Sequence, residues 1–131
     1  MTVFLDSNIV LYAIGDDEQK RSVAVDLLLQ TPVISTQVIN ECSHVMRRKY
    51  GLSVREVTKQ LDAILVLVTL VDVGLDEIRQ AWDLAIRYEY SHFDNLILAT
   101  ALASDCSELM SEDMQHGQCI ENRLTIVNPF K

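Results

Sequence analysis

Apolar residues occur along this chain in short blocks, and the spacing inside each block predicts its element. Val3-Phe4-Leu5 is a compact apolar run that stops on Asp6, and it predicts a strand over Thr2–Leu5. Ile9-Val10-Leu11-Tyr12 follows Ser7-Asn8 and predicts a short helix, Ser7–Ile14, stopped by Gly15. Asp17–Gln30 reads as an amphipathic helix with Val25, Leu28 and Leu29 among its core positions, ended by Pro32. Val33-Ile34 is a brief strand. Ser35 or Thr36 then caps a helix reaching about Tyr50, with Gly51 where helices favour glycine.

Ser53 and Glu56 form a capping box for the next helix, whose stripe is Val57, Leu61, Ile64 and Leu65. Val68–Val73 is apolar and β-branched, so it predicts a strand. Gly74 and Asp76 open a helix carrying Ile78, Trp82 and Ala85, and Ser91 caps another from His92 to about Ser104. Glu108–Met110 and Thr125–Val127 close the chain as short strands. Strands alternating with helices imply an α/β fold, with a mostly parallel sheet of about five short strands and helices on both faces. No internal repeat interrupts the pattern, and the Lys49–Ser53 turn is the one expected mobile hairpin.

At 131 residues the chain is expected to form a single domain, 1–131, with a proper core. Its longest apolar run, Ala63 to Leu70, is far too short to span a bilayer, and no signal segment is evident. The three cysteines, Cys42, Cys106 and Cys119, are odd in number and unpaired in spacing. They argue against a disulfide framework or a structural zinc site and for a reducing, cytoplasmic setting. The net charge of −8 opposes nucleic-acid binding unless part of it is neutralised by a metal. Arg47-Arg48-Lys49 is one basic spot at a helix end, where it complements the helix dipole or contacts RNA.

Asp6 changes this picture most. A strand that stops on a carboxylate delivers it to the carboxyl edge of the sheet, where open α/β folds bind ligands. Glu41, Asp94 and Asp113 recur at comparable junctions. Four gathered carboxylates repel each other, and hard divalent cations are the usual remedy. Each acid also has an ordinary reading. Asp6 serves as a helix cap, and Ser91-His92-Phe93-Asp94 fits a capping box. Asp113 reads as a solvated loop acid whose rival is Glu112, and spacing alone does not decide between them. Glu41 shares a helical face with Val38, Cys42 and Val45, where a glutamate without a partner is rare. His44, His92 and His116 show no zinc-binding spacing, and no phosphate-binding loop or nucleophile elbow is present. Cys42 reads as a small core residue, not a nucleophile.

The segments FLDSNIVLY, VINE, SHFDNLILATAL and SEDMQHGQ, with the ending TIVNPF, resemble the PIN-domain ribonucleases. More narrowly, they resemble the toxin subunits of bacterial virulence-associated toxin–antitoxin pairs. The likeness runs in order along essentially the whole chain. It implies a three-layer PIN-like fold and Mg²⁺- or Mn²⁺-dependent cleavage of RNA, inhibiting translation, by a homodimer held inactive by a cognate antitoxin. Which RNA is cut is not written in the sequence; the resemblance suggests transfer-RNA loops. The matched positions make Asp6 and Asp94 the principal metal ligands. Glu41 binds directly or through water, and Asp113 through water or at a second ion. Ser7 orients Asp6 or a water, and Asn8 stabilises the turn. The chain departs from the family in having Asn95 after Asp94, where alanine is usual. Asn95 is therefore expected to crowd the pocket or to contact RNA or a partner.

The chemistry is coherent, since one or two such ions both activate water and stabilise a leaving oxygen. Two other classes fit an α/β fold with acids. A phosphoryl-accepting signalling domain would want a lysine ending the last strand, and Thr125-Ile126-Val127 has none. A non-catalytic binding module has Asn95 as its one supporting feature.

Overall fold

Short strands and long helices divide the work in this chain. The computed structural model describes residues 2–131. Six strands form one sheet in the order β3-β2-β1-β4-β6-β5. They are β1 (Val3–Leu5), β2 (Val33–Ser35), β3 (Thr69–Val71), β4 (Glu108–Met110), β5 (Cys119–Ile120) and β6 (Leu124–Val127). All neighbours run parallel except β5, which pairs antiparallel with β6. The helices are α1 (Ser7–Tyr12), α2 (Glu18–Leu28), α3 (Thr36–Arg48), α4 (Val54–Leu65), α5 (Leu75–Arg87) and α6 (His92–Ala103).

The parallel α/β sheet expected from the apolar pattern is present, with one strand more than the five anticipated. β5 is two residues long, too short to carry a periodic signal. Strand order reverses at β1, which has β2 on one side and β4 on the other. Such a switch point opens a crevice at the strands' carboxyl ends. Leu5 lies opposite Met110 in the register, so the next residues of each strand, Asp6 and Ser111, are set side by side. Asp6 N–H still donates to the Met110 carbonyl, at 3.0 Å.

The core is built on Phe4, Leu5, Ile34, Leu109 and Ile126, all fully buried. α6 is buried on every side from Asn95 to Leu102, as expected of a helix that is apolar all round. The Ser53–Glu56 capping box forms with both reciprocal bonds, at 3.1 Å each. Gly51 sits at φ +66° after α3, the left-handed conformation glycine adopts most readily.

Two helical faces are rotated from those the periodicity suggested. In α2, Ala24 and Leu28 are buried, while Val25 and Leu29 are 38% and 66% exposed. In α5, Ala81 and Leu84 are buried, and Trp82 is 57% exposed. α5 packs on α6 through this face, and small Ala81 permits close approach where Trp82 would not. β3 is an edge strand and leaves Leu70 exposed, so its apolar character overstated its burial. No helix among the described residues is long and apolar enough to cross a membrane.

Candidate metal centre

Asp6 caps α1 from the end of β1 and is almost wholly buried, with 4% exposed. Its Oδ1 accepts from Ser7 N–H at 2.7 Å, and its Oδ2 accepts from Ser111 Oγ at 2.8 Å. Both the capping role and the crevice position therefore hold at once. Burial pushes the Asp6 pKa up from 3.8 to about 6. The Ser111 and Ser7 bonds pull it back, while Glu41 and Asp94 add repulsion.

Glu41 projects from α3 at the border of the stripe formed by Val38, Cys42 and Met46, all fully buried. Its Oε1 is buried and has no hydrogen-bond partner. Burial raises its pKa, Gln37 and Ser7 oppose the rise, and the Asp94 charge adds to it. Asp94 lies in the first turn of α6. Ser91 Oγ accepts from Asp94 N–H at 3.1 Å, but the return bond of a capping box is not made. The carboxylate therefore does not cap the Ser91 backbone N–H. Its pKa is raised by burial first and by the Asp113 charge second, with Ser91 opposing.

Asp113 follows β4 and is exposed. Its Oδ2 accepts from Asn8 Nδ2 at 2.8 Å, and its N–H donates to Ser111 Oγ at 3.2 Å. Glu112 turns the other way: Lys20 Nζ donates to both its carboxylate oxygens at 3.1 Å. That Lys20 ammonium also donates to Tyr12 Oη at 3.1 Å and lies 4.5 Å from the Tyr12 ring. One anion of the adjacent pair is thereby neutralised away from the crevice, and Asp113 is the one left to share it.

Repulsion links Asp6 to Glu41 and Asp94, Glu41 to Asp94, and Asp94 to Asp113. The fold therefore brings all four expected acids into one field. Ser7 joins them, its hydroxyl 3.5 Å from Asp6 Oδ1 and facing Glu41. The donor set is all carboxylate oxygen, which suits a hard cation, and the orphaned Glu41 Oε1 is an acceptor that a cation would satisfy. Among the described residues no three His, Cys, Asp or Glu side chains stand close enough together, as placed, to hold a metal ion, so the four acids form an open set. An open set fits Mg²⁺, which keeps several waters and takes few carboxylates.

One residue behaves differently from the expectation, one behaves as expected, and one was missed. Asn95 is fully buried, and its Nδ2 donates to the Tyr90 carbonyl at 3.2 Å. It braces the loop before α6 and is out of reach of RNA or a partner. Cys42 is fully buried beside Glu41 and Asp6, which push its thiol to about 12, after burial as the larger cause. It is a neutral wall of the core. Ser111 was not singled out, yet it binds Asp6 and Asp113 together. Its signal was available: it follows β4 as Asp6 follows β1, in adjacent parallel strands.

A family model for the PIN domain matches residues 3–118. The chain belongs to the PIN-domain family. No curated protein sequence matches it. Among solved structures, this PIN domain is similar to VapC20 of Mycobacterium tuberculosis, described as a sarcin-ricin loop cleaving toxin. The identity is 19%, the TM-score 0.69, and the match covers 86% of this chain and 90% of that one. It is also similar to a chain of a toxin–antitoxin complex from Klebsiella pneumoniae, at 21% identity and TM-score 0.72, over 98% of each chain. A third similar chain belongs to VapBC2 of Rickettsia felis bound to a DNA fragment from its promoter. There the identity is 22% and the TM-score 0.71, over 98% of this chain and all of that one. At these identities the likeness is one of fold.

Proposed function

We propose that this PIN domain is a Mg²⁺- or Mn²⁺-dependent endoribonuclease, the toxin of a toxin–antitoxin pair that inhibits translation. The observation that carries the reading is the orphaned Glu41 Oε1 beside Asp6 and Asp94, three acids that repel one another, with Asp113 coupled to Asp94. Asp6, Glu41, Asp94 and Asp113 are assigned as the residues that hold the ion, directly or through water. When bound, such an ion would offset part of the acids' charge and supply an activated water and charge stabilisation at the phosphate.

The chain's own residues prepare this in four ways. Ser7 and Ser111 fix both oxygens of Asp6, so that carboxylate is oriented before any ligand arrives. Ser91 takes the helix cap, so Asp94 is spared that role. Asn8 holds Asp113, and Lys20 withdraws Glu112. Above about pH 6 Asp6 is ionised even without a cation. A held divalent ion offsets two of these negative charges and so reduces the negative potential that a phosphate meets.

Partners follow from the same reading. The similar solved chains that come from toxin–antitoxin complexes support a cognate antitoxin. A groove of about 520 Å³ lined by Leu11, Tyr12, Ile14, Tyr50 and Leu52, beside exposed Val54, is assigned to it at the α3–α4 turn. Homodimerisation is expected in solution, and light scattering at tens of micromolar that gives a monomer mass would remove that part. The substrate is RNA, with transfer-RNA loops as the class to try first.

Purified protein free of antitoxin should cleave fluorescent RNA in Mg²⁺ or Mn²⁺ and stop in EDTA. Asp6→Asn should slow cleavage at least ~100-fold, the scale of losing a transition-state-stabilising group. Cleavage that survives chelation, or an Asp6→Asn variant as fast as the native protein, would overturn the reading.

A further inference from the structure

One face of α3 carries, beside the assigned ligand Glu41, polar and basic side chains that the ligand assignments leave unused. Gln37, Asn40, Glu41 and His44 recur at three-and-four spacing and therefore share a side of the helix. They line a groove of about 650 Å³ together with Val73 and Phe93. Arg47 and Arg48 lie one turn farther along α3, exposed at its end. Neither enters any of the ion pairs among the described residues. From Glu41 to Arg48 is about 10 Å along the helix axis, the reach of a few nucleotides.

Phe93 stands immediately before Asp94 and is 61% exposed. Exposure of a large aromatic ring forfeits hydrophobic free energy, yet this one is firmly positioned. Gln37 Nε2 donates to the Phe93 carbonyl at 3.0 Å, and the ring stands edge-on to His92 at 5.3 Å. Gln37 Oε1 remains a buried acceptor without a partner. The groove thus offers an open aromatic face, an apolar floor, and amide and imidazole edges. It is lined by Ser7 and Glu41 at the acid cluster and by His44 and Val45 farther along α3, with Arg47 and Arg48 just beyond its lining, on a protein of net charge −8.

We propose that this groove is the bed of an unpaired RNA strand. One nucleobase stacks on Phe93 beside the acid centre, and Arg47 and Arg48 take backbone phosphates farther along α3. The assignment rests on the ribonuclease reading above and names the form of its substrate. A duplex hides its base faces, whereas unpaired bases stack on aromatic side chains. An apolar protein segment would leave the amide wall and the arginines without partners.

The test measures cleavage of a short unstructured oligoribonucleotide in Mn²⁺, as KM and kcat, and its binding in EDTA by fluorescence anisotropy. Phe93→Ala should raise KM and Kd about 5- to 100-fold, the range for losing one stacked base, while kcat at saturation changes little. Phe93→Trp should retain native KM, and Phe93→Leu should behave like Phe93→Ala although it keeps apolar bulk. Arg47→Ser with Arg48→Ser should reduce the slope of log Kd against log salt by about 1.4. The same RNA annealed to its complement should bind more weakly. Native protein that neither binds nor cleaves RNA overturns the ribonuclease reading and this assignment together. Native protein that cleaves, with Phe93→Ala unchanged in KM, overturns the groove assignment alone. So does a Phe93→Ala variant that loses self-association by light scattering while its RNA affinity stays native, since the ring would then be a protein contact.

Discussion

Ser111 determines how two of the four acids stand. Its hydroxyl donates to Asp6 Oδ2 and accepts from Asp113 N–H, so it stabilises the ionised form of Asp6 and anchors the loop that carries Asp113. Ser111→Ala removes a donor that favours the charged carboxylate. The acid limb of the pH–rate profile should then move about one pH unit toward alkaline, and Ser111→Thr should restore it. A profile that stays in place would mean that Asp6 is not the group whose ionisation the rate follows. The neighbouring acids Glu112 and Asp113 differ in what holds them. Lys20 binds Glu112, whereas Asn8 presents Asp113. Asp113→Asn should therefore weaken cleavage or Mn²⁺ affinity more than Glu112→Gln does. Equal losses, or the reverse order, would assign the metal role to the wrong member of the pair.

Strands and helices place these side chains, and their legibility in the sequence was uneven for physical reasons. β1, β4 and the caps at Ser53 and Ser91 could be read directly, and the α3 cap was narrowed to Ser35 or Thr36, of which the structure uses Ser35. A short apolar run ending on a polar residue, or a hydroxyl before a helical period, is local information. The faces of α2 and α5 could not be read in the same way. Two helical stripes compete on each, and the choice depends on the partner. Small Ala81 lets α5 approach α6, so bulky Trp82 is turned outward. The two-residue β5 exists only as a partner of β6. Asp6 and Asp94 were legible at a strand end and a helix start, Glu41 as a polar interruption of an apolar stripe in mid-helix, and Asp113 only through the family resemblance. What connects them was not. The Ser111–Asp6 and Asn8–Asp113 bonds each span 105 residues of chain, and no local pattern encodes such a pairing. Asn95 shows the converse: its difference from alanine was visible, but only packing reveals that it braces the Tyr90 carbonyl.

Taken across the protein, the acid cluster makes stability depend on pH in a definite direction. Asp6, Glu41 and Asp94 all have raised folded-state pKa values, so the folded protein holds these protons more tightly than the unfolded chain. The resulting stabilisation is fully present below the unfolded carboxyl range and is lost as pH rises through the folded values. For Asp6 that window runs from 3.8 to about 6, and it corresponds to at most about 3 kcal/mol. The metal-free protein should melt at progressively lower temperature between about pH 4 and pH 7, in buffers of constant ionic strength. Mn²⁺ should restore stability most at the alkaline end. A melting temperature that rises across that interval without metal would contradict the raised pKa values that burial first, and repulsion second, impose on these acids.

The central claim is that the four acids form one cation site, and Asp94→Asn tests it without requiring RNA. The cap on α6 is made by Ser91 to the backbone of residue 94, so the substitution leaves it intact and removes one repelling charge. At neutral pH the metal-free variant should be more stable than the native protein by about 0.5–2 kcal/mol. Mn²⁺ binds the folded state selectively and raises its melting temperature. The measurement is the Mn²⁺-induced melting shift of both proteins at pH 7. The account predicts a clear shift for the native protein and a much smaller one for Asp94→Asn, from a higher metal-free starting point. A variant that starts lower and keeps the full Mn²⁺ shift would contradict it, because Asp94 would then be a structural residue outside the site.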